Sequence, residues 1–258
     1  MSPIAHYYEI AEGVSAFSTT RHGGASKGNY GEFNINPYCG DESNAISSNR
    51  LLLASELNVD EKSIILPHQV HAIESRMIVN SFLDLSHDVQ SMLLEDVDCL
   101  MTNCKNICIG VSTADCIPVL LYDPVQNAVA AIHAGWRGTM NRIVRKIITE
   151  MRSCYKTRPQ DLKAIVGPGI SLKNFEVGQE VYDAFEQAGH DMEPIAHFYD
   201  KWHIDLPLCN KLELEQCGVS SDNILMSDIC TYDQVDDYFS ARRLGVDSGR
   251  VYTGIILR

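Results

Sequence analysis

Cys116 and His133 stand at the ends of two neighbouring apolar runs. One reads Thr113-Ala114-Asp115-Cys116 followed by Ile117-Pro118-Val119-Leu120-Leu121-Tyr122, and the other reads Ala128-Val129-Ala130-Ala131-Ile132 followed by His133-Ala134-Gly135-Trp136-Arg137-Gly138. Two further imidazoles lie upstream in His68-Gln69-Val70-His71. Two ring nitrogens and one thiolate are a good zinc set, and three protein ligands leave the fourth tetrahedral position open, the pattern of a catalytic site. The same atoms also serve without metal, with Cys116 as nucleophile and His133 as its base. Both uses need a lowered thiol pKa beside an imidazole, so residue types alone do not separate them. A third reading makes His68 and His71 loop histidines with local hydrogen bonds and Cys116 a buried core thiol, since widely separated single residues do not declare a zinc motif.

The elements around these residues decide whether they meet. The two apolar runs flank a turn at Asp123-Pro124 and predict an antiparallel pair of buried strands, whose outer ends bring Cys116 and His133 close. After His133, Thr139 is a candidate N-cap for a helix carrying Ile143, Val144, Ile147, Ile148 and Met151 at helical spacing. A strand, a glycine turn and a helix start containing Arg137 form a plausible anion site, because free helix N–H groups and a guanidinium point at one place. Further strand-like runs occur at 64–66, 77–79, 99–102, 107–112, 164–166, 224–226 and 251–257. Helical periodicity covers 45–57, 142–151, 177–188 and 206–217, with Gly189 and Gly218 expected just past the last two helices. Strands outnumber helices and do not alternate strictly with them, which predicts an α+β fold of mixed β-sheets flanked by helices. No linker or repeat divides the chain, so residues 1–258 are expected to form a single domain.

Composition narrows the partners. Of the 258 residues, 45% are hydrophobic, ample for a packed core. The formal charge of −13, from 34 acids against 21 bases with no basic run, argues against nucleic acid and anionic membrane, so an anionic substrate would need local arginines. The N-terminal segment has no basic n-region and no apolar h-region, and no stretch reaches the roughly 20 apolar residues of a membrane span; a cytoplasmic protein is expected. The nine cysteines are an odd number in a long chain and are read as reduced thiols. Cys99, Cys104, Cys108 and Cys116 contain no Cys-x2-Cys pair, which disfavours a structural zinc or iron–sulfur site. Oligomeric state is left open by the sequence.

Seven strings carry a family resemblance. Thr19-Thr20-Arg21-His22-Gly23-Gly24, His68-Gln69-Val70-His71, Ala114-Asp115-Cys116-Ile117-Pro118, His133-Ala134-Gly135-Trp136-Arg137-Gly138, Gly167-Pro168-Gly169-Ile170, Phe175-Glu176-Val177-Gly178 and Phe239-Ser240-Ala241-Arg242-Arg243 resemble, in order and over nearly the whole chain, the multicopper polyphenol oxidase or laccase-domain family. Its members are mostly described as purine nucleoside phosphorylases. The chain departs from the usual pattern at Ala72, where Gly is common, and at Asp96-Val97-Asp98, where Asp-Ala-Asp is common. The resemblance implies a metal, Zn2+ with Cu2+ as an alternative, held by His71, Cys116 and His133.

It also implies phosphorolysis of adenosine, inosine and methylthioadenosine, with adenosine deamination as a further reaction, so purine nucleosides and phosphate are the expected partners. Phosphorolysis requires a phosphate clamp, stabilisation of a cationic ribosyl transition state, and protonation or polarisation of the departing purine. Arg21 and Arg137 are the basic groups assigned to phosphate, with Arg21 also counted as catalytic beside His71, Cys116 and His133; each also reads as a structural, salt-bridging arginine, Arg137 the more so because Trp136 and Gly138 could simply shape a tight turn. Asn34 in Phe33-Asn34-Ile35-Asn36 serves either to hydrogen-bond the sugar or base or to stabilise its turn, while Arg242 and Arg243 either close the pocket or line a subunit contact. Deamination would add a proton-shuttling carboxylate, for which Asp115 and Glu176 are candidates. The competing functions are a copper-dependent polyphenol oxidase, a Cys/His hydrolase editing cell-wall peptide precursors, and a metal carrier without activity. The absence of His-x-His pairs tells against an ordinary multicopper site.

Overall fold

Strands that are apolar along their whole length must be covered on both faces, and the longest apolar runs of this chain become the inner strands of two stacked sheets. In a computed structural model of the protein the described residues are 4–258; residues 1–3 of the N-terminal segment lie outside them. One sheet contains β1 (Ala5–Tyr8), β2 (Val14–Thr19), β3 (Ile64–Ile65), β6 (Cys108–Thr113) and β14 (Val251–Leu257), in the order β1-β2-β14-β6-β3. A second contains β4 (Ser75–Met77), β5 (Cys99–Thr102), β7 (Ile117–Asp123), β8 (Ala128–Ala134), β9 (Lys163–Val166) and β13 (Ile224–Met226), in the order β13-β9-β7-β8-β5-β4. A small third sheet orders β10 (Glu176–Val177), β12 (Trp202–Ile204) and β11 (Ala196–Phe198). The helices are α1 (Ser43–Leu57), α2 (His87–Leu94), α3 (Trp136–Met140), α4 (Ile143–Tyr155), α5 (Gln179–Gln187), α6 (Leu206–Gln216) and α7 (Ala241–Leu244).

Period-two alternation sorts the core. On β7 and β8, Val119, Leu121, Ala130 and Ile132 share a cluster with Ile147 and Met151 of α4 and with Leu206 and Leu214 of α6. Leu120, Val129 and Ala131 pack in a second cluster with Ile109, Val111 and Ile255 of the other sheet. Beyond that sheet, Phe17, Tyr252 and Ile256 cluster with Leu53 and Leu57 of α1. The result is helix, sheet, sheet, helix, which meets the α+β expectation of mixed sheets flanked by helices. Eight of the nine predicted strand runs and all four helical runs correspond to elements, while the run 77–79 is corrected to Ser75–Met77, sharing only Met77 with it. No helix among the described residues is long and apolar enough to cross a membrane.

The cap at Thr139 is corrected. The chain enters α3 directly from Gly135, and α4 starts only after Arg142, which adopts a left-handed φ of 58°. The Arg142 guanidinium holds that turn by reaching Glu213 at 2.6 Å and the Gly189 carbonyl at 2.8 Å. Thr139 lies inside α3, its hydroxyl donating to the Ala134 carbonyl and accepting from Asn210.

Candidate functional site

Strand register brings the cluster together. Pro118 pairs with His133 and Ile117 with Ala134, so Cys116, one residue before β7, lies beside the end of β8. His71 arrives from the loop between β3 and β4. One ligand atom from each of His71, Cys116 and His133 lies within 4.8 Å of the others, and the two imidazoles meet edge to face with centroids 4.8 Å apart. The following Gly135 makes this approach feasible: a Cβ there would come within 2.8 Å of His71 Cδ2 and 3.2 Å of Cys116 Sγ.

Asp98, fully buried just before β5, organises two of the three residues. Its Oδ1 accepts from His133 Nδ1 at 2.7 Å and from the His71 backbone N–H at 3.0 Å. Its Oδ2 accepts from the N–H groups of Ala72 at 2.8 Å and Val70 at 3.4 Å. Three successive amides converge on one carboxylate because His71 takes a left-handed φ of 63°, the backbone concavity that suits an anion. With Nδ1 of His133 on Asp98, its Nε2 is the nitrogen available to the cluster, the carboxylate–histidine–metal relay expected of a ligand imidazole.

Burial by itself would raise the Cys116 thiol, but the His133 charge and hydrogen bonds from both histidines bring it down to about 6. Burial would lower His133, yet the Cys116 thiolate and Asp98 push it up to about 9. Burial also works against the Asp98 carboxylate, and its bond to His133 and its backbone N–H donors nevertheless hold it below the usual range. Without metal the pair is therefore thiolate and imidazolium at neutral pH. A soft thiolate with two imidazoles fits zinc, which would have to displace the His133 proton. Zinc affinity is expected to tighten by about tenfold per pH unit between roughly pH 6 and 9, and more steeply below 6, where the Cys116 proton must also leave. Competition against a chromophoric chelator at several pH values measures that slope; a flat profile would contradict it.

The cluster opens into a cavity of about 250 Å³, whose wall also carries Asn36, His68, Gln69, Ser112 and Arg250. Gln69 fastens this loop to β6, donating to the Ser112 carbonyl at 2.9 Å and accepting the Ser112 N–H at 2.8 Å. Arg250 is held at the wall by donating to the carbonyls of Ser248, Gly249 and Val246. A larger cavity of about 550 Å³ lies beyond Gly167 and Gly169, but no member of the Cys/His cluster lines it, so the ligand chemistry favours the smaller one.

Of the residues predicted from sequence, His71, Cys116 and His133 are brought together, whereas Arg21, Asn34 and Arg137 do not line this cavity. Arg21 donates to the carbonyls of Gly31 at 2.8 Å and Val235 at 2.7 Å, with its guanidinium over Phe239. Arg137 is exposed and stacks on its neighbour Trp136, 4.2 Å from the ring centroid. Asn34 is buried: its amide donates to Asp41, and its carbonyl accepts the N–H groups of Asn36 and Arg250. Asp115, at φ 87°, accepts from the Thr231 hydroxyl and the Arg242 N–H and so ties the Cys116 turn to α7. Glu176 pairs with Lys201 at 2.6 Å, and the Arg242 guanidinium donates to the Glu176 carbonyl. Sequence reasoning did not single out Asp98, Gln69 or Arg250. The available signal for Asp98 was an acid immediately before the apolar run 99–102, where a buried carboxylate demands partners.

Comparison with known proteins adds to this geometry. The model of the family described as multi-copper polyphenol oxidoreductase laccase matches residues 15–258. The chain is 42% identical over 247 residues to a purine nucleoside phosphorylase of Bacteroides thetaiotaomicron, covering 95% of this chain and 92% of that protein. It is 41% identical over 253 residues to adenosine deaminase RL5 from an unknown prokaryotic organism, covering 96% of each. A solved structure, the hypothetical protein YfiH of Bacillus licheniformis, superposes with a TM-score of 0.92 at 25% identity, covering 100% of this chain and 97% of that one.

Proposed function

The chain belongs to the multi-copper polyphenol oxidoreductase laccase family, and from that premise we propose that it is a metal-dependent purine nucleoside phosphorylase acting on adenosine, inosine and methylthioadenosine, with adenosine deamination as a second reaction. The observation that carries this reading is an open His71, Cys116, His133 set facing a cavity, in a chain similar to proteins named for phosphorolysis and for deamination. A zinc ion held by these three residues would supply a Lewis acid to polarise substrate oxygen or activate water. The protein residues do the rest. Asp98 fixes the His133 ring and the His71 backbone, while Gln69 holds their loop against β6. Arg250, the one arginine among the described residues of the cavity wall, would place positive charge beside a bound phosphate while its guanidinium stays anchored on neighbouring carbonyls. Asn34 accepts the Arg250 N–H and supports that wall from behind, and Arg21 steadies the neighbouring loops at Gly31 and Val235.

The family description favours a second reading, phenol oxidation. Reducing oxygen by several electrons draws on several histidine-rich copper centres, whereas the described residues offer one Cys/His cluster. Both reactions are to be measured on one zinc-loaded, copper-free preparation. Ribose 1-phosphate should form from inosine and adenosine, and phenol turnover should be slow until copper is added. Fast phenol oxidation with stoichiometric oxygen uptake and no ribose 1-phosphate would overturn the phosphorylase reading.

A further inference from the structure

His68 lines the cavity but has no place in the Cys116 cluster. Its ring is nevertheless held on two sides. Nδ1 lies 2.6 Å from Glu95 Oε1, and the ring packs on Tyr38 with centroids 4.5 Å apart. The backbone is pinned as well, its N–H donating to the Leu94 carbonyl and its carbonyl accepting the Val97 N–H. With Nδ1 engaged by a carboxylate, Nε2 has no hydrogen-bond partner among the described residues, on a residue of the cavity wall. A carboxylate, an imidazole and a free second nitrogen form the arrangement that passes a proton to a bound group. Neither Glu95 nor Asp96, the acids beside the ring, lines the cavity, so His68 is the member of this trio that does.

We propose that His68, oriented by Glu95, is the general acid that protonates the departing purine; the inference rests on the phosphorolysis reading above. As an oxygen of hydrogen phosphate bonds to C1′, the C1′–N9 bond breaks and its electron pair passes to the purine. The proton on His68 Nε2 goes to purine N7. The proton that hydrogen phosphate sheds on becoming ribose 1-phosphate restores His68, so the cycle closes without an oxidant or reductant.

The test compares inosine with 7-methylguanosine, whose purine leaves as an already cationic group and needs no proton. In zinc-loaded enzyme, His68→Gln should lower kcat for inosine by about 10²–10³-fold with little change in KM, yet lower kcat for 7-methylguanosine by less than about threefold. Glu95→Gln should show the same substrate pattern with a smaller loss, about tenfold on inosine. Zinc content and melting temperature should match the parent enzyme. Equal losses on both substrates, or zinc loss that tracks the activity loss, would overturn the assignment and point to a structural or cation-binding role with Glu95 and Asp96. If the parent enzyme cleaves neither nucleoside, the phosphorolysis reading falls and the acid assignment with it; if it cleaves both and His68→Gln cleaves inosine undiminished, only the assignment falls.

Discussion

Cys116→Ala should abolish stoichiometric metal binding and lower phosphorolysis of inosine and adenosine by about a thousandfold or more, the several kcal/mol that a Lewis acid contributes to such a transition state. The thiolate is the one anionic donor among the three candidate ligands, and the two imidazoles left behind would not hold zinc stoichiometrically at micromolar protein. Burial opposes its ionisation, but the His133 and His71 contacts bring its pKa down to about 6, which favours the thiolate a metal needs. Elemental analysis beside kinetics separates its two roles. A variant that loses metal and activity together has lost a ligand. One that keeps full metal content while losing turnover has lost a nucleophile, and that outcome would overturn the ligand assignment.

Asp98→Ala should destabilise the metal-free protein by about 3–5 kcal/mol, the usual loss when one partner of a buried charge pair is removed. Three backbone amides and the His133 ring would then lose their acceptor in a fully buried position. The His71 backbone would lose what stabilises its left-handed φ, and the His133 ring what orients it. Metal affinity should fall by about 10–100-fold even where folding is rescued by excess zinc, as for other carboxylates behind ligand histidines. Asp98→Asn keeps the volume but turns an NH2 group toward one of these donors, so it should fall between the two proteins. Denaturant midpoints in chelator, paired with zinc titrations, check both parts. An Asp98→Ala protein with parent stability and affinity would show that the carboxylate organises neither histidine.

How much of the site was legible follows from how local each signal is. The antiparallel pairing that joins Cys116 to His133 was readable because both runs are apolar throughout and flank one turn, so sequence neighbours become spatial neighbours. The Gly135 requirement was only half readable: a glycine after the histidine was evident, but its purpose, room for His71 and Cys116, depends on a loop some sixty residues away. Arg21 and Arg137 looked alike in sequence as cations beside glycine turns. In the fold, Arg21 spends donors on the carbonyls of Gly31 and Val235, and Arg137 lies on Trp136. Arg250, which nothing in its local pattern marks, stands in the cavity wall, its guanidinium donating to the carbonyls of Ser248, Gly249 and Val246.

By itself the sequence determined the α+β class, the central strands and the four main helices, which rest on periodicity and turn residues, and its motif strings, through the resemblance they carry, pointed to His71, Cys116 and His133, which the fold brings together. Only the tertiary structure decided the two-sheet stacking, the left-handed turn at His71, the Asp98 carboxylate that serves both histidines, and the pairing of His68 with Glu95. Each of those joins groups far apart in the chain, or settles a competition among polar groups for partners. Such competitions are decided by which donor and acceptor burial leaves within reach of one another.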